Sequence, residues 1–313
     1  MEFRTYSIPM RTRFRGLEQR QGMVAQGPAG WAEFSPFPEY NHVQCLPWLQ
    51  AALEAATKPF PDAVRDRIPI NGIVPAVGSG QNAARIAVES GCATIKLKVA
   101  EPGESLDRDV ERVAAIRDAL PDALIRVDAN GAWNVKDAVK AIKRLDEVAG
   151  GLEYVEQPCA TVEELRDVRR KVDVPIAADE SIRRAADHFR VRDLEAADVA
   201  VLKVQPLGGV RACLRIAEQI GMPVTVSSAV ETSIGLAASV ALAAALPELP
   251  YACGIGTAHL LTADIADEPL KSFDGCLPVR RPALDEEAFA RVAAPPEVDE
   301  RWQARLAHVQ ESL

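Results

Sequence analysis

From about residue 70 onward, the chain alternates between short apolar runs and longer segments with helical periodicity. In residues 105–120, for example, Val110, Val113 and Ile116 recur at the spacing that places them on one face of a helix. A strand followed by a helix, repeated along about 200 residues, predicts a barrel of parallel strands ringed by helices. The eight apolar runs that we predict as strands are residues 71–77, 93–99, 123–129, 152–158, 175–181, 199–205, 223–229 and 251–256.

The first 70 residues lack this alternation. Turn residues separate the β-prone runs at 3–10 and 22–36, and residues 45–56 have a helical pattern. We therefore predict an α+β capping domain over residues 1–70, a barrel over 71–282, and a C-terminal segment over 283–313 that packs on the cap or barrel. A doubly wound open sheet is the alternative, and it is disfavoured because neither GxGxxG nor GxxxxGK[ST] follows the first predicted strand.

Composition and charge argue against several classes of protein. The net charge is -9 with a pI of about 5.2 and no run of five basic residues, which argues against nucleic acid as a partner. The six cysteines form no CxxC pair and are typical of free thiols in a reducing compartment. The apolar stretch at 235–247 is too short to span a bilayer, and no signal peptide is predicted. We expect a cytoplasmic protein without a membrane partner, and a monomer is compatible with the sequence.

Lys96 and Lys98 interrupt the second apolar run, which reads TIKLKVA over residues 94–100. Residues two apart on a strand point to the same face, so both ammonium groups project into one space. Two like charges side by side in a core cost free energy. The sequence therefore predicts groups on that face that offset the two positive charges.

Four other ionisable residues occupy matching positions on later strands. Asp128, Glu156, Asp179 and Lys203 each lie in the C-terminal half of an apolar run, which is the end of a barrel strand where active sites form. One Asp at a strand end is usually a turn residue or a helix cap, whereas a series in register on consecutive strands favours a site. Three carboxylates without a nearby His or Cys suit Mg²⁺, with Mn²⁺ as a substitute, better than Zn²⁺.

Lys203 reaches this predicted site from the flank opposite Lys96 and Lys98. A desolvated ammonium group near other cations has its pKa lowered from ~10.4 toward ~7 to 8, so it can act as a base at neutral pH. A metal between two such groups is what abstraction of a proton α to a carboxylate requires. Schiff-base chemistry at a lysine and a binding protein with a structural metal are the alternatives; the carboxylates disfavour the first, and the opposed lysines disfavour the second.

These residues resemble the enolase superfamily in its muconate-lactonizing subgroup. The resemblance covers essentially the whole chain and implies an α/β fold, a (β/α)7β TIM-like barrel with a small N-terminal α+β capping domain completed by the C-terminal tail. It also implies a Mg²⁺-dependent enzyme that acts on a small anionic carboxylate. The stretches that carry the resemblance are KLK at 96–98, VDANGAW at 127–133, VEQP at 155–158, ADES at 178–181, LKVQPLGG at 202–209 and GPAGWAEFSPF at 27–37.

The resemblance also implies a role for each charged residue. Lys98 would abstract the α-proton and then, as its conjugate acid, protonate the departing hydroxide. Lys96 would hold a carboxylate oxygen and help to lower the pKa of Lys98, while Lys203 would stay cationic and stabilise the dienediolate. The implied metal ligands are Asp128, Glu156 and Asp179.

Position along the strands adds candidates around this centre. Arg126 shares a strand face with Asp128, so either it reaches the Lys96 neighbourhood and the substrate or it has a surface or helix-facing role. Asn130 is predicted to support Asp128 from behind, and the basic cap loop at 11–16 is predicted to cover the mouth. Candidate substrate-binding residues at strands seven and eight are Ser227, Ser228, Gly254 and Gly256, although turn residues are the alternative interpretation.

Three further stretches distinguish activities within the subgroup. SSAVETSIG at 227–235, CGIGTAHLLTADI at 253–265 and the cap opening YSIPMRTRFRG at 6–16 resemble members that dehydrate a hydroxycyclohexadiene carboxylate, which would make the enzyme a hydro-lyase. Dipeptide epimerases are disfavoured because they carry DxD on the eighth strand, where this chain has CGIGT. N-acylamino acid racemases and muconate-type cycloisomerases use the same lysines and carboxylates, so both remain alternatives.

Overall fold

The N-terminal part of the chain is a three-stranded antiparallel sheet followed by a helix. The structure, a computed structural model, describes residues 1–14, 16–76, 78–184 and 187–313. The sheet order is β1-β2-β3, and the predicted helix at 45–56 lies within α1. The bounds are β1 Phe3–Phe14, β2 Leu17–Gly27, β3 Gly30–Phe34 and α1 His42–Thr57.

The centre of the molecule is a curled sheet of seven parallel strands whose order follows the chain. A short strand, β4 (Arg67–Pro69), precedes it. The predicted parallel barrel strands are thus confirmed from the first to the seventh, each shorter than its apolar run; Val77, in the first run, lies outside the described residues. The strands are β5 Asn71–Val74, β6 Thr94–Lys98, β7 Leu124–Asp128, β8 Tyr154–Glu156, β9 Ile176–Ala178, β10 Val199–Leu202 and β11 Val224–Val226.

Helices cover the outer face of this sheet. Several begin at a side chain that accepts a hydrogen bond from a free amide of the first turn, such as Ser79, Asn134 and Thr161. α9 is buried along almost its whole length, as predicted for the apolar stretch at 235–247. The helices are α2 Gly80–Glu89, α3 Leu106–Ala119, α4 Val135–Ala149, α5 Val162–Arg169, α6 Glu180–Arg183, α7 Arg190–Asp193, α8 Val210–Ile220 and α9 Ser233–Ala245.

The eighth strand position consists of single bridges. Cys253 pairs with Ile70 and Gly254 pairs with Ser227, so the chain at 253–254 joins the two ends of the seven-stranded sheet. The prediction of a strand over 251–256 is therefore right in position and wrong in length. The space here is narrow, because a Cβ on Gly254 would lie 2.8 Å from Ser227 Oγ.

The C-terminal helices return to the cap. A 3-10 turn (Ala258–Leu260) and β12 (Cys276–Pro278), which pairs with β4, lead to α10 (Glu286–Val292) and α11 (Pro296–Gln310). Trp302 of α11 is buried edge-to-face against Phe34 of β3, with ring centroids 6.1 Å apart. Within the described residues, no helix is both long enough and apolar enough to cross a membrane.

Candidate active site

The inner face of the barrel carries the predicted charged residues at its C-terminal end. Strand register sets Lys98 beside Asp128 and Asp128 beside Glu156. Lys96 and Lys98 project from the same face of β6, as the alternation of a strand requires. A lower layer formed by Tyr154, Ala177 and the valines of β10 fills the barrel beneath them. The fold therefore brings the predicted charges together above a packed floor.

Lys96 holds two of the carboxylates. Its Nζ donates to both carboxylate oxygens of Glu156, at 2.9 and 2.7 Å, and lies 3.1 Å from Asp128 Oδ2. Burial lowers the pKa of Lys96, but Glu156 and Asp128 outweigh burial and leave that pKa above its usual value. Burial and the nearby Asp128 raise the pKa of Glu156 to about 7. Lys96 is therefore a permanent cation, held between the carboxylates of Glu156 and Asp128.

Lys98 differs from Lys96 in its electrostatic environment. Its Nζ donates to Asp128 Oδ2 at 2.5 Å and to Asn130 Oδ1 at 2.7 Å. Burial lowers the pKa of Lys98 below its usual value, and the positive charge of Lys96 lowers it further, although Asp128 acts in the opposite direction. A lysine with a lowered pKa beside a fixed cation has the character of a general base.

Asp179 and Lys203 form a second group on the other flank. Lys203 Nζ donates to Asp179 Oδ2 at 2.7 Å, and Arg183 Nε donates to Asp179 Oδ1 at 2.8 Å. Burial acts to raise the pKa of Asp179, but Arg183 and Lys203 hold it well below its usual range. Asp179 therefore stays ionised, with one cation on each of its oxygens.

Sequence reasoning missed two residues that position this group. Arg183 stands one helical turn after Asp179, a spacing of opposite charges that could have predicted the pair. Gln157, in the VEQP stretch, is fully buried with a positive φ of 39°, and its Oε1 accepts from the amides of Asp179 and Ser181. Its Nε2 also donates to Ser181 Oγ at 2.7 Å, so the loop that carries Asp179 is fixed by Gln157.

Asn130 and the cap loop border Lys98. Asn130 adopts a left-handed backbone with φ of 47°; its amide donates to Asp128 Oδ1, while its side-chain Nδ2 donates to Glu180. Lys98 Nζ lies 5.6 Å from the ring centroid of Phe14 at the end of β1. Arg13, Phe14 and Gly16 also line a cavity of about 80 Å³ that includes Lys98. Arg15, also in the predicted cap loop, lies outside the described residues.

The remaining predicted residues are placed differently. Ser227 and Ser228 are almost fully buried; Ser227 Oγ donates to the Gly254 carbonyl, and Ser228 Oγ bonds Thr257 Oγ1. A Cβ on Gly256 would meet Ile70 Cδ1 at 2.8 Å, so packing against the neighbouring strand accounts for this glycine. These hydrogen bonds join the end of the seventh strand to the chain at the eighth strand position.

Arg126 is the register partner of Lys96, but its hydrogen bonds within the described residues go to none of the predicted charged residues, and its contact with the substrate stays a prediction. It is fully buried, so the alternative of a surface role is wrong. Its guanidinium bonds Glu153, the Ala252 carbonyl and the Tyr154 hydroxyl. The long side chain starts on the predicted face but extends toward the N-terminal end of the barrel, away from the strand ends.

The carboxylates suit a divalent cation by donor type. All three are oxygen ligands with at most 1% exposure, and burial together with the neighbouring Asp128 raises the pKa of Glu156 to about 7. Among the residues that the structure describes, no group of three or more His, Cys, Asp and Glu side chains is gathered tightly enough to hold a metal ion. Each carboxylate is turned instead toward a lysine or arginine, so ion binding requires these contacts to rearrange.

Comparison with known families gives two matches that divide the chain. Residues 79–283 match the model of the enolase C-terminal domain-like family, and residues 5–56 match the enolase N-terminal domain-like family. Both matches lie in the order that the fold shows, cap first and barrel second. Together they cover most of the chain.

Curated relatives and solved structures agree with this division. The chain is 61% identical over 308 residues to an o-succinylbenzoate synthase of Thermobifida fusca, covering 98% of this chain and 95% of the relative. It is 52% identical to an o-succinylbenzoate synthase of Mycolicibacterium smegmatis, with 95% and 91% covered. A muconate lactonizing enzyme from Pseudomonas fluorescens has the same fold, with a TM-score of 0.79 at 23% identity, covering 94% of this chain and 98% of that structure.

Proposed function

Because the chain belongs to the enolase superfamily, we propose that it is a lyase that removes water from 2-succinyl-6-hydroxy-2,4-cyclohexadiene-1-carboxylate to give 2-succinylbenzoate, a reaction of menaquinone biosynthesis. The observation that carries this proposal is the 61% identity to an o-succinylbenzoate synthase, which extends over 98% of the chain. The lysines on opposite flanks of three buried carboxylates are consistent with this chemistry.

In the proposed mechanism Lys98 moves the proton. The neutral amine of Lys98 takes the proton α to the substrate carboxylate, and the C–H electron pair passes into a dienediolate. The resulting ammonium of Lys98 then returns its proton to the hydroxyl group as the C–O bond breaks, so water leaves and the ring becomes aromatic. One residue serves both steps because the two groups leave from the same face. The lowered pKa of Lys98 supports this role.

Lys96 and Lys203 supply fixed positive charge in this mechanism. Lys96, whose pKa is raised, stays protonated, holds a carboxylate oxygen and keeps Lys98 poised as a base. Lys203 stabilises the dienediolate electrostatically from the other side of the ring. Arg183 and Gln157 act as positioning residues because they fix the orientation of Asp179.

Enzymes of the enolase superfamily generally use Mg²⁺, and we propose that this chain binds it through Asp128, Glu156 and Asp179. When bound, the ion supplies positive charge that stabilises the dienediolate. Mn²⁺ shares the preference for oxygen ligands and can substitute. Asn130 is proposed to support the site by bonding both Asp128 and Lys98.

We further propose that Ser227 and Ser228 contact the succinyl carboxylate, since both close the barrel at its seventh strand. We propose that Gly254, which has no side chain, lets the backbone approach the substrate beside these two serines. The division into a cap over 1–70, a barrel over 71–282 and a C-terminal segment over 283–313 is part of the same proposal, as is a cytoplasmic location.

The test compares two reactions of the purified protein with Mg²⁺. We expect loss of the cyclohexadiene absorbance, and we measure racemisation of N-succinylamino acids in parallel. If only racemisation occurs, the proposed dehydration activity is wrong, although the assigned active-site residues remain supported. Inactivation by EDTA that Mg²⁺ reverses is expected, whereas borohydride trapping of substrate on a lysine would indicate Schiff-base chemistry.

Variants test the assigned roles. Lys98→Ala and Lys203→Ala are each expected to abolish dehydration while circular dichroism shows a retained fold. Lys98→Ala should also abolish exchange of the α-proton with deuterated solvent, which a structural role alone does not predict. Lys143→Ala, which removes an exposed lysine on α4, is the matched control. Near-normal turnover in either active-site variant would refute the assigned role.

A further inference from the structure

A second polar cavity lies behind Asp179, between the cap and the barrel. Its volume is about 330 Å³, and its walls come from α1 and from the chain that follows β9 and β10. Its described lining includes none of the three lysines or three carboxylates of the candidate active site. The described lining is therefore distinct from these six residues and adjoins them through Arg183, which bonds Asp179.

The polar lining consists mainly of hydrogen-bond donors and cations. The described lining contains no Asp or Glu, although acidic residues outnumber basic ones in the chain, 45 to 36. Tyr40, two prolines and Leu207 form the rest of the wall. The polar lining residues are Arg183, Arg184, His188, Trp48, Gln44 and Gln50. Such a wall favours a negatively charged ligand.

Trp48 has an unused donor at this cavity. The residue is fully buried, yet its indole Nε1 has no hydrogen-bond partner among the residues that the structure describes. An unpaired buried donor destabilises the folded state, and such groups are uncommon in folded proteins. An acceptor atom supplied by a ligand would remove this cost.

Arg184 has an unused positive charge. Its guanidinium lies 5.0 Å from the ring centroid of Tyr40 and makes no hydrogen bond or ion pair with the described residues. Arg183, by contrast, is committed to Asp179, Glu180 and the Tyr40 hydroxyl. The charge available to a ligand is therefore that of Arg184. His188 also lines the cavity, and its Nδ1 is held by the Ile182 carbonyl.

We propose that this cavity binds a small oxyanion, presented by a carboxylate or phosphate group, through Arg184, the Trp48 indole and the side-chain amides of Gln44 and Gln50 on α1. Occupancy also biases Asp179, because Arg183 forms part of the cavity wall and bonds Asp179 directly. An anion beside Arg183 offsets part of the positive charge that stabilises the Asp179 carboxylate. The Asp179 carboxylate should then bind a cation more readily. This second effect rests on the proposed metal role of Asp179, whereas anion binding does not.

Calorimetric titration of the full chain with sodium phosphate, and separately with sodium succinate, tests the binding and distinguishes the two ligand sources. We expect one of the two to bind at a single saturable site. Arg184→Gln should weaken that binding about tenfold, the usual effect of one lost charge-assisted contact. Trp48→Phe, which keeps an aromatic ring and removes the N–H, should weaken it several-fold. Arg144→Gln, on the exposed face of α4, removes the same charge and should change nothing.

Two results would overturn the site. One is the absence of saturable binding of either anion at about 10 mM, where even weak specific sites fill. The other is equal affinity in Arg184→Gln and Arg144→Gln, which would indicate binding at the active-site lysines. Folding of each variant is checked by thermal unfolding, and the exposed position of Arg184 keeps that variant informative.

The link to Asp179 is tested by titrating Mg²⁺ with and without the anion that binds, with free Mg²⁺ corrected for complexes in solution. We expect several-fold tighter Mg²⁺ binding with the anion present, and no such effect in Arg184→Gln. Unchanged Mg²⁺ affinity in the wild-type protein would overturn the link. Failure to bind Mg²⁺ at all would instead refute the proposed metal site.

Discussion

Glu231 is a carboxylate that the fold stabilises poorly when it is ionised. It is fully buried in the loop between β11 and α9, facing Glu33 of β3 and Arg20 of β2. Its Oε2 accepts from the Ala229 amide at 2.7 Å, while its Oε1 has no partner within the described part of the chain. Burial and the neighbouring Glu33 raise the pKa of Glu231 from 4.5 to about 7, against the smaller opposing effect of Arg20.

This pKa fixes the sign and size of a pH effect on stability. The folded state holds the proton of Glu231 more tightly than the unfolded state, so the stabilising contribution is complete below about pH 4.5 and is lost as the pH rises toward 7. The difference corresponds to about 3 kcal/mol. Replacing Glu231 by glutamine keeps the shape without the charge. The Glu231→Gln variant should therefore match the wild type near pH 4.5 and exceed its free energy of unfolding by about 3 kcal/mol at pH 8.

Urea denaturation of both proteins from pH 5 to pH 8, without metal, measures this difference. Glu300→Gln, at an exposed site on α11, is the control that removes the same charge and should give a flat difference. A flat difference for Glu231→Gln over the same range would refute the reasoning, since it would mean that Glu231 ionises in the folded state as easily as in water.

Three further predictions concern packing, charge and metal. Arg126→Leu should cost about 3 kcal/mol of unfolding free energy, because it leaves the largely buried Glu153 without its cation; urea denaturation measures this, and a loss below 1 kcal/mol would contradict it. Gly27→Ala should cost about 2 kcal/mol, because its Cβ would clash with the Ala56 carbonyl of α1, and an unchanged midpoint would show that α1 can shift. Addition of Mg²⁺ should raise the melting temperature of the wild type and leave that of Asp179→Asn nearly unchanged, as followed by thermal unfolding.

The parts of the fold that the sequence predicted follow from local periodicity. Alternation along a strand fixes which face a side chain occupies, so Lys96, Lys98, Asp128 and Glu156 could be assigned to one inner face without coordinates. The eighth strand was overestimated because an apolar run between turns does not show how many residues pair. Here glycine at 254 and 256 lets two bridges complete the ring.

The parts that were missed depend on side-chain reach and on loops. Arg126 was assigned to the correct face, but a side chain of its length can extend toward either end of the barrel, and Glu153 and Tyr154 hold it at the lower end. Gln157 follows its strand in a left-handed conformation that periodicity does not reveal. Strand pattern therefore predicts which charges meet, and loop geometry decides which of them are paired.

The pairing itself constrains how the site can work. In this structure Lys96, Lys98 and Lys203 bond the carboxylates that are proposed to hold the metal. These lysines can turn to an anionic substrate only when another cation takes over the carboxylates, because an unpaired buried carboxylate is costly. Likewise, the carboxylates can accept a divalent cation at low cost only when the released lysines find another anion. Metal and substrate should therefore bind with positive cooperativity. When EDTA removes the metal, the affinity for 2-succinylbenzoate should fall by more than the loss of a single direct contact with the metal would explain.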